Sequence, residues 1–82
     1  MLALTPEGVK EMEIIPVESS YIEAIGYDES KGTLLVRFRD GSPPYLFVDV
    51  PRAIHVAFLA AESKGEYFNA EVRNRYRYRR DE

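Results

Sequence analysis

The chain has 82 residues, 45 % of them apolar, and carries 11 Lys and Arg against 14 Asp and Glu for a net charge of −3. That length makes one domain, able to bury roughly 60–65 % of its unfolded surface. The absence of Cys excludes a disulfide framework and a thiolate metal site, and the acidic balance excludes a uniformly basic nucleic-acid binder.

The first residues, MLALTPEGVKEME, are too short and too acidic for a signal peptide, and no apolar run approaches a membrane span. A cytoplasmic chain that meets no membrane is the expectation. Thr5-Pro6-Glu7 reads as a helix N-cap, a proline at the first helical position and an acid in the first turn. Gly8 and the lack of an apolar stripe weaken that helix, so 1–15 is read as an arm, a short helix or mobile, ahead of a domain over 16–80.

Tyr21 to Tyr27 is rich in β-branched and aromatic residues and suits a strand. A polar turn, Asp28 to Gly32, leads to the clearest strand, Thr33 to Arg39, in which Leu34, Val36 and Phe38 alternate against Leu35, Arg37 and Arg39. After Asp40-Gly41 and the Pro43-Pro44 pair, which cannot donate to a ladder, Tyr45 to Val48 makes a third strand with Tyr45 and Phe47 on one face. Asp49-Val50-Pro51 opens a helix, with Asp49 as acceptor at its start. Residues Ala53 to Ala61 are apolar almost throughout, which predicts the most buried element of the fold, with Arg52, His55 and Glu62 on its wet stripe. Ser63 and Glu66 have capping-box spacing for a second helix that runs to about Asn74, a residue tolerant of a left-handed end, and buries Phe68 and Val72. From Arg75 to Arg79 the period becomes two, as in an edge strand. The fold class is α+β: a three-stranded antiparallel meander packed against two C-terminal helices, with a possible fourth edge strand from the tail.

Charge is uneven along this order. Residues 1–31 hold seven acids and two bases, whereas Val72 to Arg80 holds five Arg and no acid. Arginine forks pair with phosphate and tyrosine rings stack on unpaired bases. Arg73, Arg75, Arg77 and Arg79 with Lys64 therefore form a candidate phosphate row, and Tyr45 and Tyr78 are candidate base platforms. Arg37 and Arg39 extend the set if they share a sheet face with Tyr45 and Phe47. The bland reading puts the tyrosines in the core and pairs the arginines with acids such as Glu71, four residues before Arg75. A phosphate corner at Ser63-Lys64-Gly65 competes with Ser63 and Glu66 satisfying the same N–H groups. His55 has no orienting carboxylate at helical spacing and no second metal ligand. No paired carboxylates, nucleophile elbow or phosphate loop is present, so neither catalysis nor a cofactor is expected.

These landmarks resemble the KTSC domain, a family named from the C-terminal domain of some lysyl-tRNA synthetases and met also as stand-alone bacterial and phage proteins. The resemblance is carried by PVESSYI (Pro16 to Ile22), IGYD (Ile25 to Asp28), Leu34, Val36 and Phe38, Gly41, VP (Val50, Pro51), Ala61 with SKG (Ser63 to Gly65), YFN (Tyr67 to Asn69), VR (Val72, Arg73), Tyr76 and Tyr78. It departs at Tyr45-Leu46-Phe47, where the family's Tyr-x-Tyr loses its second hydroxyl and thus a hydrogen-bond donor. The resemblance implies RNA binding. A small non-catalytic module for RNA or single-stranded nucleic acid is the leading expectation. The alternatives are a protein-interaction or self-assembly module and a small-nucleotide binder at the Ser63 corner.

Overall fold

A computed structural model of the chain describes residues 12–80. Strands β1 (Glu13–Pro16), β2 (Ile22–Asp28), β3 (Thr33–Phe38) and β4 (Tyr45–Phe47) precede α1 (Arg52–Ala60) and α2 (Lys64–Tyr67). A π-helical turn (Phe68–Val72) and β5 (Tyr78–Arg80) complete the order. All five strands form one antiparallel sheet in sequence order, β1-β2-β3-β4-β5.

The expected meander is present and is widened at both edges. The end of the stretch read as an arm forms β1: Glu13–Pro16 pairs with β2, Ile15 opposite Ile25, and the Thr5-Pro6-Glu7 helix start lies outside the described residues. The tail strand begins later than its arginine-tyrosine alternation suggests. Arg75 still donates its N–H to the Val72 carbonyl in the turn that ends the helix, so pairing with β4 starts only at Tyr78.

The hairpin turns follow from side-chain chemistry. Asp28 Oδ1 accepts from the Ser30 N–H (3.1 Å) and hydroxyl (2.8 Å), and Asp40 Oδ1 does the same for Ser42 (2.9 and 2.7 Å). In each turn the aspartate replaces a backbone acceptor two residues ahead of the donor. These bonds, led by the serine hydroxyl, hold both carboxyls below the usual aspartate range. Gly32 closes the first turn at φ 67°, where a side chain would be strained.

The core lies between one sheet face and the helices. Ile22, Ile25, Leu34, Val36 and Phe47 from the sheet meet Val50, Phe58, Phe68 and Val72, all at most 2 % exposed. Four phenylalanine rings make its centre: Phe68 packs edge-on to Phe38 (5.5 Å between centroids) and Phe47 (5.8 Å), with Phe58 at 6.4 Å.

Four local expectations are corrected. Helix α1 is not the most buried element: only Phe58 is fully buried, while Ala53, Val56, Ala57 and Ala60 are exposed. A nine-residue helix offers one side to a sheet, and here that side carries Ile54, Phe58 and Leu59. The half-buried His55 ring stacks on Tyr27 at 4.9 Å, and its buried Nε2 has no hydrogen-bond partner among the described residues. Pro51, not Asp49, is the N-cap of α1, and Asp49 takes a left-handed conformation (φ 57°), which Asn74 does not. The Ser63 cap is as expected, its Oγ accepting the Glu66 N–H at 3.2 Å.

Candidate nucleic-acid interface

Register decides which of the arginines and tyrosines act together. Val36 pairs with Tyr45 and Tyr45 with Arg80, while Leu34 pairs with Phe47 and Phe47 with Tyr78. These residues therefore share the helix-facing side of the sheet. Leu35 pairs with Leu46 and Leu46 with Arg79, which puts Arg79 on the far face, and alternation along β3 puts Arg37 there too.

The continuous phosphate row is thus not formed. Arg37 does not share the face of Tyr45 and Phe47. Arg39 donates Nε to the Ser19 carbonyl and Nη2 to the Val17 carbonyl, tying β3 to the segment before β2. Lys64 turns back to donate Nζ to the Ala61 carbonyl at 2.7 Å, so it braces the junction between α1 and α2. Arg75 sits 3.6 Å from Glu71, the ion pair anticipated by their spacing, with both side chains about half exposed. Such a pair is worth at most about 0.5 kcal/mol. Arg77 is exposed, and its carbonyl accepts the Val48 N–H. The helix end breaks the alternation: Tyr76 packs against the core, whereas Tyr78 is 50 % exposed.

What the fold does assemble is a corner where β4 and β5 meet the π-helical turn. Tyr45 and Tyr78 stack face to face (4.6 Å, 8°), and the Arg80 guanidinium lies 5.4 Å from the Tyr45 centroid. Arg80 Nη2 also approaches the Tyr45 hydroxyl at 3.4 Å. One face of Tyr45 is therefore occupied by Tyr78, and the half-exposed ring of Tyr78 is the platform presented to solvent. Beside this stack lies a cavity of about 210 Å³, walled by Tyr21, Phe38, Tyr45 and Phe68. Arg73 and Arg80 stand on its rim with Asp40 and Ser42. Arg73 is aimed by the π-helical turn. Its N–H bonds to the Phe68 carbonyl (2.8 Å), five residues back, and its Nη1 to Asn69 Oδ1 (3.1 Å). A guanidinium has five N–H donors, so one held by Asn69 leaves others for an anion.

Of the nine residues singled out from sequence, the fold brings Arg73, Tyr45 and Tyr78 together and disperses the rest. Arg80, the last of the five arginines in the tail, joins them, and Tyr21, Asp40 and Asn69 join the corner unpredicted; the YFN and SSY runs carried Asn69 and Tyr21, but nothing marked Asn69 as a brace for Arg73 or Tyr21 as lining a cavity. The Ser63 corner is a shallow space whose Ser63 oxygen is taken by Glu66 and whose lysine is turned to Ala61. Among the described residues no cluster of His, Asp or Glu is placed to hold a metal, and no helix is long and apolar enough to cross a membrane.

The sequence profile of the KTSC domain matches residues 18–76. The chain belongs to the KTSC domain family. A protein of Tsukamurella paurometabola is 47 % identical over 62 residues, which cover 76 % of this chain and 91 % of that one. An uncharacterized protein of Stutzerimonas stutzeri is 34 % identical over 68 residues, covering 82 % and 94 %. The crystal structure of a KTSC domain protein from Yersinia pestis superposes with a TM-score of 0.82 at 34 % identity, over 87 % of this chain and 99 % of that one. The matched KTSC region contains β2 through the π-helical turn and Arg73; β5, with Tyr78 and Arg80, follows it.

Proposed function

We propose that this KTSC protein is a non-catalytic binding module for single-stranded nucleic acid, RNA in the first instance, which it holds at two or three unpaired nucleotides in the corner between β4, β5 and the π-helical turn. The observation that carries this reading is the pairing of a half-exposed ring, Tyr78 on Tyr45, with the buttressed guanidinium of Arg73 across an aromatic-walled cavity. Rings of this kind accept any base face, and stacking contributes about 1–3 kcal/mol per base. The dispersal of Arg37, Arg39, Lys64 and Arg79 argues for a short contact with few phosphates. The synthetase association that the resemblance implied does not carry the reading; the corner does.

Titration of a labelled single-stranded RNA at several salt concentrations tests it. A contact with one to three phosphates gives a log–log salt slope of about −0.7 to −2. Arg73→Gln should make that slope shallower by about 0.7, and Tyr78→Ala should weaken binding with little change in slope. No saturable binding at low salt would end the proposal.

A second reading, self-association, is favoured by the exposed apolar side of α1, where Val56 is 53 % exposed between Ala53, Ala57 and Ala60. Sedimentation velocity separates the two: a concentration-dependent dimer that Val56→Glu abolishes belongs to this second reading.

A further inference from the structure

The cavity in the corner carries an ingredient that phosphate binding does not call for. Asp40 stands on the same rim as Arg73, and a carboxylate repels a phosphate at close range. Its Oδ1 is held by the Ser42 N–H and hydroxyl, while no other described residue donates a hydrogen bond to Oδ2. The aspartate is thus fixed in orientation and ionised, with one acceptor oxygen available beside four aromatic walls. The volume, about 210 Å³, falls below the roughly 300–1,000 Å³ of pockets that take drug-sized ligands. It fits a single ring.

We infer that this cavity takes a base next to the one stacked on Tyr78 and that Asp40 selects bases whose edge bears an exocyclic amino group, of which cytosine is the pyrimidine case. The inference rests on the single-strand reading above and adds to it a specificity that the stack of Tyr78 on Tyr45 cannot supply, because every base has a π-face. A carboxylate accepts from cytosine N4. Uracil offers a carbonyl oxygen at the same position, and its lone pairs would face the carboxylate. The mixed rim suits a ligand with both characters: Arg73, braced by Asn69, meets the phosphate, and Asp40 meets the amino edge. Ser42 is a positioning residue, since it touches Asp40 and fixes which oxygen remains open.

The test compares fluorescein-labelled oligo(C) and oligo(U) of ten nucleotides on the full chain at pH 7.5, by fluorescence anisotropy. The two differ at the base edge and little in stacking area. A hydrogen bond to an ionised acceptor at an exposed rim predicts oligo(C) binding about tenfold more tightly than oligo(U). In Asp40→Asn the amide can present either a donor or an acceptor but no charge, so oligo(C) should bind more weakly, oligo(U) no more weakly, and the ratio should fall to about one. Equal affinities in the unaltered protein overturn the inference and leave single-strand binding standing. A preference that survives Asp40→Asn, in protein whose melting curve is unaltered, overturns it as well. Absence of binding to either oligomer overturns both. The wild-type ratio is informative whether or not the variant folds.

Discussion

Phe68 offers the strongest check on the packing. It is 1 % exposed and holds ring contacts with Tyr21, Phe38, Phe47 and Phe58. Truncation to alanine removes the transfer term and leaves a cavity, a combination that costs about 3–5 kcal/mol for a buried phenylalanine. Four neighbouring rings make collapse around the void difficult, and lost edge-on pairs add about 0.5–1.5 kcal/mol each beyond area, so the upper part of that range applies. A chain of 82 residues has a total stability of about 4–12 kcal/mol, so Phe68→Ala should leave a protein at or near the edge of unfolding. Phe68→Leu should cost about 1–2 kcal/mol and lower Tm by roughly 4–16 °C. Urea titrations followed by far-ultraviolet circular dichroism measure both, with Val56→Ala on the open side of α1 as a control expected within about 0.5 kcal/mol. A loss under about 1 kcal/mol for Phe68→Ala would refute the placement of this ring at the junction of sheet and helices.

Burial first, and then the Arg52 charge, hold the His55 imidazole below its ordinary pKa. The unfolded chain therefore takes up that proton first, so stability should be full above about pH 6.5 and fall as pH drops below it. His55→Phe, which keeps the stack on Tyr27, should flatten the change in urea midpoint between pH 7 and pH 5. Tyr27 donates its hydroxyl to the Val50 carbonyl at 2.5 Å, so Tyr27→Phe should cost about 0.5–1.5 kcal/mol, read as a lower urea midpoint at unchanged slope. Ser63→Ala removes the acceptor for the Glu66 N–H and should cost about 1 kcal/mol in the same titration, with Ser63→Gly recovering most of it.

Local chemistry made the central strands and the α2 cap legible. Alternation in Thr33 to Arg39 placed Leu34, Val36 and Phe38 inward, and each is buried. The Asp28 and Asp40 turns lie where polar residues interrupt the apolar pattern. Helix α1 was misjudged because hydrophobicity does not distinguish a side that is covered from one that is merely small and apolar: alanine is inexpensive to expose, and Ala53, Ala57 and Ala60 are exposed. β1 was missed because Ile14-Ile15 is too short a run to outweigh the acids around it. The candidate site was the hardest part, since it depends on register. Arg79 and Arg80 are adjacent in the chain yet belong to opposite faces, and one residue of slip would exchange them. Arg73 and Asp40 are 33 positions apart in the numbering and meet only because the π-helical turn leads back over the sheet.

Every neighbouring strand pair in this sheet is joined by a short hairpin except the last. Between Phe47 and Tyr78 the chain makes both helices before returning, and the returning strand is held by three register pairs and by the Val48 amide on Arg77. Closing so long a loop for so few pairs makes this seam the easiest part of the sheet to fray. Half of the corner lives on that seam. Amide exchange at Val48 would therefore serve as a built-in gauge of occupancy, slowing when a ligand clasps β5 to β4 while amides in β2 and β3 keep their rates.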